Sequence, residues 1–197
     1  MKIQGLVLAA GLSTRCGTNK LLIPAEGSAI IERTVRTLIK ANLAGITVVL
    51  GSCSEEIKKA LKGYSLQFIY NPDYKDGMST SLQAGINAIS QDPGIDAVLI
   101  MLGDMPLIRD NTVKDLMTAY RTKRPVIVVP RCQGQPGHPV IFDRAVFAAV
   151  DSIRGDRGAR EIINCRAEQV LFIDSNDPGI LIDLDTREAI NKYFPAT

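Results

Sequence analysis

Leu8-Ala9-Ala10-Gly11-Leu12-Ser13-Thr14-Arg15-Cys16-Gly17-Thr18-Asn19-Lys20 follows directly on the apolar run that begins at Ile3, so a glycine-rich turn carrying two cations leaves the end of a buried strand. Gly11 and Gly17 let the backbone approach a ligand closely and take positive φ. Amide N–H groups in such a turn cradle an anion, and Arg15 and Lys20 add full positive charge. The guest expected at this turn is a polyphosphate. A P-loop is excluded because it ends in Gly-Lys-Ser/Thr, whereas Lys20 is separated here from Gly17 by Thr18 and Asn19. The dinucleotide fingerprint GxGxxG is also absent from the turn.

Around this turn the chain reads as one α/β unit. Its 197 residues, 46% of them hydrophobic, suffice for a single continuous core. Apolar runs bounded by turn signals recur at Ile3 to Leu8, Ile46 to Leu50, Leu66 to Tyr70, Ala97 to Leu102 and Val126 to Val129, with amphipathic stretches between them. Ser28 is the expected cap of a helix carrying Ile30, Ile31, Thr34, Leu38 and Ile39, and Ser54 of a short one carrying Ile57, Ala60 and Leu61. Strands this apolar are covered on both faces, which predicts a mainly parallel sheet flanked by helices. Ligands of such sheets sit beyond the carboxyl ends of the strands at the switch in strand order. Arg131 to Pro139, the least regular stretch, is a candidate functional loop.

Composition narrows the partners. A net charge of +2 with no basic block, and five tyrosines and five phenylalanines that flank no such block, give no case for binding nucleic acid. The apolar start is too short to span a membrane and no cleavage pattern follows it, so the expected location is cytoplasmic. Cys16, Cys53, Cys132 and Cys165 form no CxxC pair and read as reduced thiols, and His138, the one histidine, has no histidine partner for a metal centre.

Two acidic positions suit a hard cation. Leu102-Gly103-Asp104-Met105-Pro106 fixes a carboxylate at a strand end, ahead of a residue restricted by proline. Mg²⁺ takes one or two carboxylates together with phosphate oxygens and water. The late segment Ile182-Asp183-Leu184-Asp185-Thr186 supplies a second acid, and either Asp183 or Asp185 could instead cap a helix starting near Thr186.

Leu8 to Lys20 resembles LAxGxSxRMGxxK, the opening motif of the nucleotidyltransferase superfamily that builds activated sugars, lipid precursors and dinucleotide cofactors and includes the MobA-like family, with Cys16 where methionine is usual. GDMP at Gly103 to Pro106 is similar to the metal motif of that superfamily. GMSTSL at Gly77 to Leu82, GHPVIF at Gly137 to Phe142 and GDRGAR at Gly155 to Arg160 resemble segments of its molybdenum cofactor cytidylyltransferase group. The resemblance runs from Leu8 to Glu188 and implies one MobA-like domain over residues 1–197 with a Rossmann-like nucleotidyltransferase fold. It implies Arg15 and Lys20 as catalytic cations, and Leu8, Ala9, Ala10, Gly11, Arg15, Gly17, Lys20, Ser79, Ser81 and Asp104 as the nucleotide site. Asp104 and Asp185 are implied as Mg²⁺ ligands, with Asp183 the rival for the second place, and His138, Asp156 and Arg160 as acceptor contacts.

The reaction implied is transfer of CMP from CTP to molybdopterin cofactor, with pyrophosphate released and a molybdenum hydroxylase as recipient of the product. Ala10 in Leu-Ala-Ala-Gly looks like the cytidylyl version of the turn, where the guanylyl version has glycine. A MobA-like transferase using GTP or another phosphorylated acceptor, and a cofactor chaperone without transfer, are the alternatives.

Overall fold

The computed structural model describes residues 1–11 and 19–195. Arg15, Cys16 and Gly17 therefore lie outside the described residues. The chain forms β1 (Ile3–Ala9), β2 (Pro24–Ala25), β3 (Ser28–Ala29), α1 (Ile30–Ile39), β4 (Gly45–Leu50), α2 (Ser54–Ala60), β5 (Gln67–Tyr70), α3 (Met78–Ser90), β6 (Ala97–Leu102) and α4 (Asp110–Lys123). The second half adds β7 (Ile127–Cys132), β8 (Gln135–Pro136), β9 (Val140–Asp143), α5 (Gly158–Cys165), β10 (Val170–Asp174) and α6 (Arg187–Tyr193). The main sheet runs in the order β10-β7-β9-β6-β1-β4-β5, with β8 pairing β7. β9 runs antiparallel to both neighbours, while β1 pairs parallel with β4 and with β6. This is the Rossmann-like nucleotidyltransferase fold, with a mixed, mainly parallel sheet.

Residue parity along the strands sorts the core into two layers. Ile3, Val7, Val48, Leu99 and Met101 pack with α1, α4 and α6 on one face, and Leu6, Val49, Val98 and Ile100 pack with α3 and α5 on the other. Gly85 brings α3 close to the sheet, since a Cβ there would stand 2.9 Å from Leu6 Cδ2 and 3.0 Å from Val49 Cγ2. The chain moves outward from β1 to β4 and β5, then returns to β6 on the other side of β1. That reversal parts the loops after β1 and β6 and opens a crevice between them.

Several local expectations are corrected. Ser28 lies in β3 and not at a helix cap, because α1 begins after Ala29 with no side-chain cap bond. Ser54 is the first helical residue of α2, preceded by Cys53 in the left-handed region at φ 54°. The stretch from Arg131 is not an irregular loop: Cys132 pairs with Gln135 across a two-residue turn at Gln133 and Gly134, both at positive φ. β9 and the edge strand β10 lie outside the five apolar runs named above. Among the described residues, no helix is long and apolar enough to cross a membrane.

Candidate active site

Beyond the carboxyl ends of β1 and β6 lies a cleft of about 500 Å³ lined by Leu8, Ala9, Ala10, Gly11, Lys20, Ser81, Asp104, Asp183 and Asp185, among others. Residues distant in the sequence meet here for local reasons. Asn19 starts the short 3-10 helix that carries Lys20, its side chain accepting the Leu21 N–H at 3.0 Å. Asp104 follows β6 through Gly103, whose N–H donates to the Leu8 carbonyl at 2.9 Å and so ties the two strand ends together. Asp185 directly precedes Thr186, the N-cap of α6.

Lys20 Nζ donates to a carboxylate oxygen of both Asp104 and Asp185. Burial alone would lower the Lys20 ammonium, but the charge and hydrogen bonding of Asp104, then of Asp185, outweigh it and hold the group above the ordinary lysine value. Two acids facing one another without the cation would repel. The other oxygen of Asp104, Oδ1, is buried and has no partner among the described residues. Asp183 lines the same cleft, and partial burial followed by the charges of Asp185 and Asp104 pushes its carboxyl above the usual aspartate value. Thr186 caps α6, accepting the Ala189 N–H at 3.1 Å, so neither Asp183 nor Asp185 serves as that cap.

Ser79 and Ser81 do not present open hydroxyls. They are 2% and 4% exposed, and Ser81 Oγ accepts from Asn71 Nδ2 at 3.0 Å while the same amide also donates to Thr80 Oγ1 at 2.9 Å. Ser81 still borders the cleft, and Ser79 does not line it. The reason is helical phase: both serines fall on the face of α3 that carries Leu82, Ile86 and Ile89 inward. Tyr74, Lys75 and Met78 line the same wall. Lys75 adds a second described cation, which a lysine just before the Gly77 turn could have signalled.

A second hollow of about 440 Å³ adjoins the first and shares Leu8, Met78, Leu102, Asp156 and Asp183 with it. His138 and Arg160 line it, so the three expected acceptor contacts border one space. Burial holds His138 below the ordinary histidine pKa, which keeps it neutral near pH 7. Asp156 has a structural duty as well, accepting the Met78 N–H at the start of α3 at 3.2 Å.

The chain's resemblances agree with this geometry. A nicotine blue oxidoreductase from Paenarthrobacter nicotinovorans is 28% identical over 98% of this chain and 96% of its own length. A molybdenum cofactor cytidylyltransferase from Escherichia coli K12 is 27% identical over 90% of this chain and 94% of its own. The crystal structure of Rv0371c from Mycobacterium tuberculosis H37Rv superposes with a TM-score of 0.85 at 25% identity, covering 100% of this chain and 99% of that one. The family described as the MobA-like NTP transferase domain matches residues 5–170, from β1 to the start of β10, and since that is most of the chain and includes Lys20 and Asp104, the chain belongs to the MobA-like NTP transferase family.

Proposed function

We propose that this chain is a Mg²⁺-dependent nucleotidyltransferase that moves CMP from CTP to the phosphate of a molybdopterin-type cofactor and releases pyrophosphate. The observation that carries the reading is Lys20, held between Asp104 and Asp185 at the mouth of the glycine turn. An oxygen of the acceptor phosphate bonds to the α-phosphorus, and the bond from that phosphorus to the bridging oxygen of pyrophosphate breaks. A phosphate is already a nucleophile at neutral pH, so the protein's task is to align two anions and balance their charge.

The donor set suits a hard cation. Asp104 and Asp185 offer carboxylate oxygens, and Asp104 Oδ1 has no partner among the described residues. Among those residues no group of three or more His, Cys, Asp or Glu side chains is arranged as a metal cage. Mg²⁺ when bound neutralises charge on the transferring and leaving phosphates. Lys20 and Lys75, which both line the cleft, counter the remaining negative charge, and the turn from Ala10 to Gly11 orients the nucleotide. The acceptor enters by the second hollow, where neutral His138 and the Arg160 guanidinium supply hydrogen bonding and charge. Asp183 stands between the two spaces, next to the point where the two substrates meet.

Kinship with a cytidylyltransferase over nearly the whole chain supports CMP as the transferred group. The oxidoreductase name of another relative has no counterpart in the first turn, which carries the phosphate motif and lacks the dinucleotide fingerprint. Ala10 is buried in the core layer that also holds Val49 and Leu82 while still bordering the cleft, which supports a methyl that packs the core and trims the base site.

The test is pyrophosphate release from CTP or GTP with magnesium and molybdopterin cofactor. CTP is expected to be preferred, and Ala10→Gly to weaken that preference by about tenfold, the range that one methyl-sized change can supply. Equal release from both nucleotides would overturn the cytidylyl assignment and keep the transferase. Cofactor binding with no pyrophosphate would identify a chaperone.

A further inference from the structure

The two late acids reach the cleft on a strap and not on a strand of the sheet. After β10 the chain turns through the 3-10 helix Pro178–Leu181 and runs to Asp185 between the loop that follows Asp104 and the residues around Gly137. Close backbone-to-backbone contacts join it to both neighbours. A Cβ on Gly179 would collide with the Leu107 carbonyl, and one on Gly137 with the Ile180 carbonyl. His138 N–H donates to the Ile180 carbonyl at 3.0 Å, and Leu184 N–H donates to the Asp104 carbonyl at 3.0 Å. Asp183 and Asp185 flank that last bond.

The strap begins at a buried acid that no motif singled out. Asp177 is 2% exposed. Its Oδ2 accepts from the Arg109 N–H at 2.8 Å and from the Thr112 hydroxyl at 2.7 Å, and its Oδ1 accepts from the Gly179 N–H at 3.0 Å. Hydrogen bonds to an ionised acceptor away from water are the strong ones. The Arg109 guanidinium lies 3.7 Å away on an exposed side chain and adds little beyond them.

These links close a ring. From Asp104 the chain runs to Arg109 and Thr112 at the start of α4, crosses by hydrogen bonds to Asp177, follows the strap to Leu184, and returns by hydrogen bond to Asp104. We infer that Asp177 is a positioning residue for the transfer reaction, its carboxylate locking the strap to α4 and thereby setting Asp185 and Asp183 opposite Asp104 and Lys20. This inference rests on the nucleotidyltransferase reading. A carboxylate is required because both of its oxygens accept. In Asp177→Asn the amide would turn an N–H toward the Gly179 N–H or the Arg109 N–H, leaving a buried donor facing a donor.

The experiment uses Mn²⁺ as the probe, titrated by electron paramagnetic resonance into the whole chain with an α,β-methylene analogue of CTP. Pyrophosphate release is measured separately. Residues that hold metal ligands in place typically change metal affinity by about 10- to 100-fold when altered. Asp177→Asn is expected to lose Mn²⁺ affinity and kcat in that range, with analogue binding in the absence of metal unchanged. Thr112→Val, which keeps two of the three hydrogen bonds to Asp177, is expected to shift both in the same direction by less. Wild-type Mn²⁺ affinity and kcat in folded Asp177→Asn would overturn the inference. If that variant does not fold, unchanged Mn²⁺ affinity in Thr112→Val overturns it instead. Wild-type protein that binds Mn²⁺ with the analogue but releases no pyrophosphate would sink the transferase reading alone, the Mn²⁺ comparison still deciding the role of Asp177.

Discussion

Asp104→Ala is expected to lower pyrophosphate release by about a thousandfold, the upper range for removing one preorganised charge from a transition-state site. The fold should survive. Lys20 keeps Asp185 as partner when Asp104 is lost, so the largely buried ammonium is not orphaned. Asp185→Ala is expected to follow the same pattern, and Lys20→Met to differ from it. Removing the ammonium leaves two carboxylates converging on an empty place, a like-charge contact that is relieved when one takes a proton. Lys20→Met should therefore be less stable than wild type at neutral pH and recover as the pH falls through the carboxylate range. Thermal melts beside turnover assays separate these cases. Near-normal turnover in Asp185→Ala with collapse in Asp183→Ala would transfer the role to Asp183.

What the sequence made legible shares one property: it sits where the backbone pattern fixes position. Asp104 stands at the end of an apolar run and the glycine turn at the end of another, and strands of a mainly parallel sheet bring such ends to one rim. Only the resemblance sets Asp185 ahead of Asp183, because the two acids stand in one short segment with Leu184 alone between them. Structure distinguishes the two by contact, Asp185 bonding Lys20 and Asp183 facing the second hollow as well. A helix-start motif carries no information about phase, so the sequence did not show that Ser79 and Ser81 are buried; the Asn71 amide and the inward Leu82 decide it, and Ser81 borders the cleft all the same. Asp177 was invisible for a different reason. Its partners Arg109 and Thr112 are more than sixty residues away in sequence, and only the folded chain puts their donors around its carboxylate. β10 did carry a signal, the continuous apolar run Val170 to Ile173, which the five runs named above leave out.

Gly77→Ala is expected to damage both substrate spaces at once. Gly77 precedes α3 at φ 107° and ψ 172°, a conformation nearly reserved for glycine that costs any other residue about 1–3 kcal/mol. Space is lacking as well. A Cβ would stand 2.5 Å from the Gly155 carbonyl carbon and 2.9 Å from its Cα, and backbone atoms cannot rotate away as a side-chain tip can. The turn at 155–158 must then retreat, taking Asp156 from the Met78 N–H. Met78 and Asp156 line both hollows. KM for nucleotide and for acceptor should therefore rise together, by about tenfold each for a lost contact of roughly 1.4 kcal/mol. Gly155→Ala is the control, because Gly155 also has positive φ, 65°, but a Cβ there meets nothing within 4 Å. It should cost only the left-handed penalty of about 1–2 kcal/mol in stability and leave both KM values as they are. If Gly77→Ala lowers stability but leaves both KM values at the wild-type level, the packing of 77 against 155 is structural alone, and the common wall of the two spaces is held by other contacts.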